Sequence, residues 1–229
     1  MTKRSSPRLP QLGTRLARIA EEVPHCDLAA DIGADHGKLS CVLLHSGRVN
    51  RMIVSDIGSS SRAKARDLFI RHGLMDRVII SGEDGLHALS EKIDAVVIAG
   101  MGGELIAQIL KQDVDLQGAM LILSAQTELP LVRETLLARG YRIEKEVLTK
   151  ESGRFYRILI AKPGQQKLSE LELALGTNVH ETDEARMIDF ITWQLEVTKT
   201  WRSSRGDALR KHLKEALDAR KTDNGTDRP

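Results

Sequence analysis

The sequence predicts an α/β protein: a mostly parallel sheet covered by helices, a last strand running antiparallel, and an antiparallel helical hairpin at the C-terminus. Three observations carry this. Short apolar runs alternate with helical patterns five times, the mark of a parallel sheet covered on both faces. Every loop rich in glycine and acid follows a strand rather than preceding one, and in open sheets of this kind ligands bind at the carboxyl ends of the strands. Beyond Pro163-Gly164 strand patterns stop and only helical periodicity remains.

Residues 1–8 are polar and basic and contain Pro7, which reads as an arm. Leu12, Leu16, Ile19 and Val23 then recur at helical spacing, and Pro24 ends the helix. Arg15 and Arg18 lie elsewhere on it and are either a solvated face or contacts to a phosphate backbone. Leu28-Ala29-Ala30-Asp31-Ile32 is a buried strand running into Gly33. A helix begins near His36, with Leu39, Val42 and Leu43 on its inner face, and ends near Gly47. Arg51 to Asp56 is a second strand ending in an acid, and a helix from about Ser60 to His72 follows, capped by Gly73. Val78 to Ser81 is a third strand, leading into Gly82-Glu83-Asp84-Gly85. Ile93 to Ala99 is a fourth, leading into Gly100-Met101-Gly102-Gly103.

A helix from Glu104 to Lys111, a strand from Ala119 to Ser124 and a helix from about Pro130 to Arg139 come next. Two strand-like runs, Tyr141 to Thr149 and Phe155 to Ala161, flank Glu151-Ser152-Gly153-Arg154, a hairpin signal. In the last segment Ile188, Phe190, Ile191, Leu195, Val197 and Trp201 make one apolar face. Ser203 to Gly206 breaks the chain, and Leu209, Leu213, Ala216 and Leu217 make a second stripe. The polar tail after Lys221 is expected to be disordered. The chain thus divides into residues 1–164 and residues 165–229.

A length of 229 residues accommodates one α/β domain with a small appendage. A net charge of +2 does not by itself mark a nucleic-acid binder, so any such surface must be local. Aromatic content of 3% is too low for a platform stacking many bases. Cys26 and Cys41 have no Cys-x-x-Cys arrangement, which argues against structural zinc or a disulfide framework and for reduced core cysteines. No stretch is long and apolar enough to span a membrane, and the basic N-terminus lacks the apolar core of a secretory signal. These features predict a cytoplasmic protein without a metal site.

The stretch from Leu28 to Gly37 is the centre of the sequence. Gly33 permits a sharp turn and a close approach to a ligand, because no Cβ intervenes. Asp31 and Asp35 bracket the turn, and acids there would repel the pyrophosphate of a dinucleotide. S-adenosylmethionine, with its ammonium and sulfonium, suits such a loop. Asp56, with Ile57 beside it, falls where α/β nucleoside binders place a ribose-hydroxyl acceptor. Glu83 and Asp84, before Gly85, are positioned to accept from an adenine amino group. Three glycines in Gly100-Met101-Gly102-Gly103 cost conformational entropy unless the backbone must bend or come close to something. Met101 can offer a flexible apolar face to a planar ring. His36 reads equally as a base or as a cap. No Ser/His/Asp set, metal-ligand cluster or phosphate-loop lysine is present, which speaks against hydrolysis and phosphoryl transfer.

With Asp31-Ile32-Gly33-Ala34-Asp35-His36, Gly82 to Leu86 and Ile98 to Gly103 laid out, the chain resembles the bacterial tRNA (adenine-22-N1)-methyltransferases. The Val132-Arg133 helix and the strand starting at Tyr156 fit as well, and the likeness spans roughly residues 9 to 215. The chain departs from the family at Gly37-Lys38, where an aromatic is usual, and at Gly58-Ser59, where Gly-Pro is usual. It departs again at Gln126-Thr127-Glu128, where the family commonly has Gln-Pro-Asn and holds the target base.

The resemblance implies a Rossmann-like class I methyltransferase domain over residues 1–164 and a coiled-coil-like hairpin beyond. It implies methyl transfer from S-adenosylmethionine to N1 of an adenine in tRNA, at position 22 of the D-arm. Asp35 would then be catalytic. Asp31, Gly33, Asp56, Ile57, Glu83, Asp84, Gly85, Gly100 and Met101 would hold the cofactor. Arg15, Arg18, Arg202, Arg205 and Lys211, with Arg210 and Lys214, would contact tRNA. Two rival readings stand beside it: a same-fold enzyme acting on another RNA position or a small molecule, and a catalytically silent RNA- or nucleoside-binding protein. The oligomeric state is open, with a monomer preferred.

Overall fold

Seven strands form one sheet, and their order places the two glycine-bearing loops side by side. In the computed structural model, which describes residues 7–176, 184–199 and 204–223, the strands are β1 (Cys26–Ile32), β2 (Val49–Ser55), β3 (Val78–Ser81), β4 (Ala95–Met101), β5 (Met120–Ala125), β6 (Tyr141–Glu151) and β7 (Arg154–Pro163). Their order across the sheet is β3-β2-β1-β4-β5-β7-β6. The pairs among β1 to β5 are parallel, and β7 runs antiparallel to both β5 and β6. The chain moves outward from β1 to β3 and then returns to β4 on the other side of β1. The direction of winding therefore switches between β1 and β4, where a crevice opens above the strand ends.

The helices are α1 (Thr14–Glu22), α2 (Lys38–His45), α3 (Ser59–His72), α4 (Gly103–Leu110), α5 (Leu129–Ala138), α6 (Glu170–Leu175), α7 (Glu184–Thr198) and α8 (Ser204–Asp223). Because strand side chains alternate between faces, strands β1, β2, β4 and β5 each feed two cores. Ala29, Met52, Val54, Val97 and Ile122 pack with α1, α2 and α3. Leu28, Ala30, Ile53, Val96, Ile98 and Leu123 pack with α4 and α5. The connection from β3 to β4 carries only a 3-10 turn, Gly85–Ala88, with Leu86 and Ala88 buried against the second core.

Boundaries moved in physically intelligible ways. The helix expected near His36 starts at Lys38, because Gly37 adopts a left-handed conformation at its N-cap. The β6–β7 turn extends both strands, since Ser152 and Gly153 both take positive φ (49° and 79°), as a tight type I′ hairpin requires. Beyond β7 the described residues form three helices rather than two. Short α6 is nucleated by a capping box in which the Ser169 side chain accepts from the Glu172 amide and the Glu172 carboxylate accepts from the Ser169 amide. The break expected at Ser203 to Gly206 is also displaced: α8 already begins at Ser204, with Gly206 inside it and buried. Residues 1–6 of the arm and Arg202 lie outside the described residues, as does the side chain of Arg205.

Helices α7 and α8 pack on the β6–β7 hairpin through a third core of Leu148, Phe155, Met187, Phe190, Ile191, Leu209 and Leu213. Beneath it Glu146 sits between two arginines, accepting from Arg133 Nε and Nη2 at 2.8 Å each and from Arg157 Nη1 at 2.9 Å. Burial pushes the Glu146 carboxyl up, but the two guanidiniums outweigh it and hold it below the usual range. Arg133 also donates to the Leu173 carbonyl of α6, and Arg157 lies over the Phe190 ring of α7. One buried ionic group thus ties α5, β6 and β7 to the C-terminal helices. No helix among the described residues is long and apolar enough to cross a membrane.

Candidate active site

The loop after β1 is held by the strand beside it. The Ser55 carbonyl at the end of β2 accepts from the backbone N–H of Gly33 (2.8 Å) and of Ala34 (2.9 Å). Asp56, one residue on, uses both carboxylate oxygens on backbone: Oδ1 accepts from the Gly58 amide at 2.8 Å and Oδ2 from the Asp35 amide at 3.0 Å. Asp35 is thereby fixed at φ 49°, a left-handed conformation unusual for a residue with a side chain. Its carboxylate stays 70% exposed at the rim, 3.3 Å from the Ser61 hydroxyl and 3.3 Å from His36 Nε2. His36 Nε2 in turn lies 3.2 Å from Lys64 Nζ, so His36 belongs to a side-chain chain over α3 and is not a helix cap.

Asp31 lies deeper. It projects to the α2 side of the sheet, is 5% exposed, and accepts from the Ser40 hydroxyl at 2.7 Å. Burial raises its carboxyl to about 6 against the lowering effect of that hydrogen bond, with the nearby Asp56 charge adding to the rise. A buried acid held near neutrality in this way stays ionised most readily beside a cation.

Across the crevice, β4 bulges at Gly100 (φ 84°), where its register against β5 shifts between Ala99 and Met101. The bulge brings the Met101 side chain over the first loop: a Cβ at Gly33 would lie 1.9 Å from the Met101 methyl. Gly33 is therefore required twice, for its positive φ of 71° and for this close approach. The second loop is held by the segment after β5. The Gln126 side chain donates to the Gly100 carbonyl (3.1 Å), the Gln126 amide donates to the Met101 carbonyl (2.9 Å), and the Gly103 amide donates to Thr127 Oγ1 (3.3 Å). A Cβ at Gly103 would sit 2.2 Å from the Thr127 carbonyl oxygen, so only glycine allows this packing.

Around the rim, Ile57 is 74% exposed beside Asp56. Glu83 and Asp84 follow β3. Asp84 accepts from the Gln112 side chain (3.3 Å), and Gln112 also accepts from the Leu86 amide (2.6 Å), bracing the turn at Gly85. All nine residues expected to hold a cofactor thus lie at or just beyond the carboxyl ends of β1 to β4. Sequence reasoning had no means of identifying three of the supports: Gln112, Arg62, whose Nη1 donates to the Asp56 and Ile57 carbonyls (2.7 and 2.9 Å), and Ser61. Each lies on a helix or loop whose charge pattern matches an ordinary solvated face.

The basic residues divide. Arg18 is ion-paired within its own helix to Glu21 and Glu22, and Arg210 to Asp207. Lys211 is 74% exposed and only loosely near Glu215, at 4.0 Å. Arg15 does not face outward: its guanidinium stacks over the Tyr156 ring (5.3 Å) and lies against Gly100. Beside Tyr156 and Gln126 a cavity of about 490 Å³ opens toward Trp193 and Leu209 of the C-terminal helices. The thiols of Cys26 and Cys41 are free, and burial pushes each up to about 11. Among the described residues no group of three His, Cys, Asp or Glu side chains is arranged to hold a metal ion.

Comparison with known proteins agrees with this geometry. Residues 12–159 match the family described as "Methyltransferase domain". The tRNA (adenine(22)-N(1))-methyltransferase of Bacillus subtilis is 33% identical over 159 residues, covering 68% of this chain and 67% of that protein. The crystal structure of the B. subtilis m1A22 tRNA methyltransferase TrmK superposes with a TM-score of 0.76 at 25% identity, covering 94% of this chain and 99% of that one. Sp1610 of Streptococcus pneumoniae, solved in complex with S-adenosyl-L-methionine, superposes with a TM-score of 0.79 at 26% identity over 89% of this chain and 98% of that one. With its strand order, its two interlocked glycine loops and these likenesses together, the chain belongs to the tRNA (adenine(22)-N(1))-methyltransferase family.

Proposed function

We propose that this chain transfers a methyl group from S-adenosylmethionine to N1 of an adenine in tRNA, at position 22 of the D-arm as in the named relative. The observation that carries the reading is the crevice between β1 and β4, where Met101 lies on Gly33 within a ring of acids. Its donor set fits the cofactor. Asp31 is a buried acid that favours a neighbouring cation, Asp56 stands at the ribose position, and Ile57 offers an exposed apolar face for a purine. Glu83, Asp84 and Gly85 line the far side, and Gly100 and Met101 the near side. Bound there, S-adenosylmethionine supplies an electrophilic methyl group on a sulfonium.

The protein has little covalent work to do. N1 of neutral adenine carries an in-plane lone pair, so no base must first remove a proton and no Lewis acid is needed. Catalysis therefore rests on presenting the unpaired base in line and excluding water. Positive charge develops on the base during transfer. Asp35, rigidly positioned at the rim, is proposed to accept from the adenine amino group and to stabilise that charge. The cavity beside Gln126, Thr127 and Tyr156 is the proposed entry for the base. Residues 1–164 are the proposed catalytic domain and residues 165–229 the tRNA-facing helical segment, with Lys211, Arg18, Arg202 and Arg205 as proposed phosphate contacts. The proposed unit is a single chain, acting without metal in the cytoplasm where its substrate is.

The test is methyl transfer from labelled S-adenosylmethionine to unmodified tRNA, followed by nucleoside mapping. Label in N1-methyladenosine at one D-arm position is expected. Tight cofactor binding with no label in tRNA would discard the substrate and direct attention to Gln126-Thr127-Glu128. In the same assay Asp35→Ala should lower turnover by about two orders of magnitude or more, with cofactor affinity changed only a few-fold. Equal loss of both would remove Asp35 from the chemistry.

A further inference from the structure

We infer that the far end of the cavity behind Gln126 and Tyr156 takes a second unpaired base of the substrate RNA, a guanine, read by Arg157 and Gln194. The assignment rests on tRNA being the substrate. The cavity measures about 490 Å³ and runs from Gln126 and Thr127 to α7 and α8. Sites that enclose a whole drug-sized ligand span roughly 300 to 1,000 Å³. An adenine presented at the Gln126 end therefore leaves the part between Trp193 and Leu209 unfilled. The walls there suit a planar ring. The chain holds only seven Phe, Trp and Tyr residues, and four of them, Phe155, Tyr156, Phe190 and Trp193, line this cavity. The Phe155 ring centroid stands 5.6 Å from that of Phe190 and 5.7 Å from that of Trp193. Any base can stack on such a surface, so the polar groups choose which one enters.

The informative side chain is Arg157, which is 3% exposed and lines the cavity. It shares Glu146 with Arg133, and the two arginines are not equally engaged. Arg133 uses Nε and Nη2 on that carboxylate and Nη1 on the Leu173 carbonyl. Arg157 places only Nη1 on Glu146. Its Nε and Nη2 have no hydrogen-bond partner among the described residues and are not sealed off from the cavity. This buried group holds two cations to one anion. Burial pulls the Arg157 guanidinium down to about 10, against the raising effect of Glu146 and with the Arg133 charge adding to the fall. A desolvated cation with unused donors is costly, and a ligand with two acceptors side by side relieves it.

Guanine has that edge. Its O6 and N7 are adjacent acceptors that a guanidinium meets with two donors, whereas adenine sets an amine beside N7 and would oppose donor to donor. The base at this end is thus a different one from the adenine that is methylated. Gln194 answers the opposite edge. Its Oε1 is buried without a partner among the described residues, and a half-turn of the amide turns that acceptor toward the N1–H and 2-amine of a guanine lying on Arg157. A phosphate is disfavoured, because Glu134 and Glu170, both exposed, line the open side and would repel it while a neutral ring passes. The same acids disfavour a free guanine nucleotide, whose phosphates would rest among them. In an RNA the phosphates stay on the outer surface, and one strand can place two splayed bases in one continuous cavity.

The experiment measures methyl transfer and binding on the full chain with tRNA transcripts altered at one unpaired D-arm guanosine at a time. Each is replaced by 7-deazaguanosine, which lacks N7, or by inosine, which lacks the 2-amine. Wild type, Arg157→Met and Gln194→Met are compared. At one position the wild type should lose about tenfold or more in affinity with 7-deazaguanosine and about fivefold with inosine, the sizes of a charge-assisted and a neutral hydrogen bond. Arg157→Met should bind unaltered tRNA about tenfold more weakly and be indifferent to 7-deazaguanosine at that position. Gln194→Met should be indifferent to inosine there and still sensitive to 7-deazaguanosine. Gln194 lies outside the Glu146 group, so its variant carries the test should Arg157→Met fail to fold.

A wild type that methylates tRNA and ignores every replacement overturns the assignment alone. Losses of equal size in all three proteins would belong to the RNA's own folding and overturn it as well. Guanosine monophosphate that binds wild type but not Gln194→Met, with every tRNA replacement neutral, would put a free nucleotide in the cavity and overturn the RNA source. A wild type that neither binds nor methylates tRNA fails the substrate reading itself and takes the assignment with it.

Discussion

Asp31 shows how one residue sets stability against ligand binding. Its carboxyl is held at about 6, above the ordinary 3.8, chiefly by burial. An acid whose folded value is raised stabilises the fold fully below its unfolded value, and that contribution is lost as pH rises through the folded value. The window runs from about 3.8 to about 6, and by neutral pH the ionised side chain costs on the order of 2 to 3 kcal/mol. A cationic ligand group beside it reverses the sign, because it favours the ionised form. Asp31→Asn is therefore expected to raise the thermal midpoint of the ligand-free protein at pH 7 to 8 and to weaken cofactor binding. In the wild type, cofactor affinity should fall as pH drops below about 6, and in Asp31→Asn that dependence should flatten. Calorimetric titration across pH 5 to 8 checks both, and a wild-type affinity independent of pH would remove Asp31 from the ligand's charge balance.

At the scale of elements, the site is assembled by contacts between loops remote in sequence. The Gly102-Gly103 start of α4 fits only because Thr127 and Glu128, at the start of α5, lie directly against it. Helix α5 is anchored at its other side by Arg133 on Glu146, and the same carboxylate holds Arg157 of β7. Removing the shared acid would leave two buried guanidiniums facing one another. Glu146→Gln should cost about 3 to 5 kcal/mol, the usual penalty for breaking one partner of a buried ion pair. Denaturant midpoints at constant slope measure it. A loss below about 1 kcal/mol would mean that water already reaches the triad. Because α5 carries Gln126 to Glu128 at its entry, the destabilised variant should also bind cofactor less tightly at temperatures well below its unfolding transition.

The whole molecule has little net charge, +2 over 229 residues, so tRNA affinity must come from local surfaces. Several arginines that looked available are already engaged with neighbouring carboxylates, as Arg18 and Arg210 are. Lys211 and Lys214 on α8 keep exposed positions. Replacing both with Ala should weaken tRNA binding and flatten its salt dependence by about two ion equivalents, leaving cofactor affinity unchanged. An unaltered slope would make that helix face a solvated surface and no more. The same helices pack on Leu148 and Phe155, so the C-terminal helices and the sheet share a core.

Much of this was readable along the chain. Strand and helix identities follow from apolar spacing, and the turns at Gly33, Gly73 and Ser152-Gly153 from residues that tolerate positive φ. Acids after strand ends could be counted as one rim once the parallel sheet was inferred, because a parallel sheet puts all its strand ends on one side. These are local signals, carried by neighbours in sequence. Partner choice is not local. That Met101 rests on Gly33, that Gln126 holds Gly100 and that Glu146 answers two arginines depends on β1 lying beside β4 and on β7 entering between β5 and β6. Arg15 shows the difference most clearly. One cation in an amphipathic helix is the same letter whether it meets water, a phosphate or a buried crevice, and only the packing of α1 against Tyr156 and Gly100 decides which, because the desolvation of a charge is a property of its surroundings and not of its sequence.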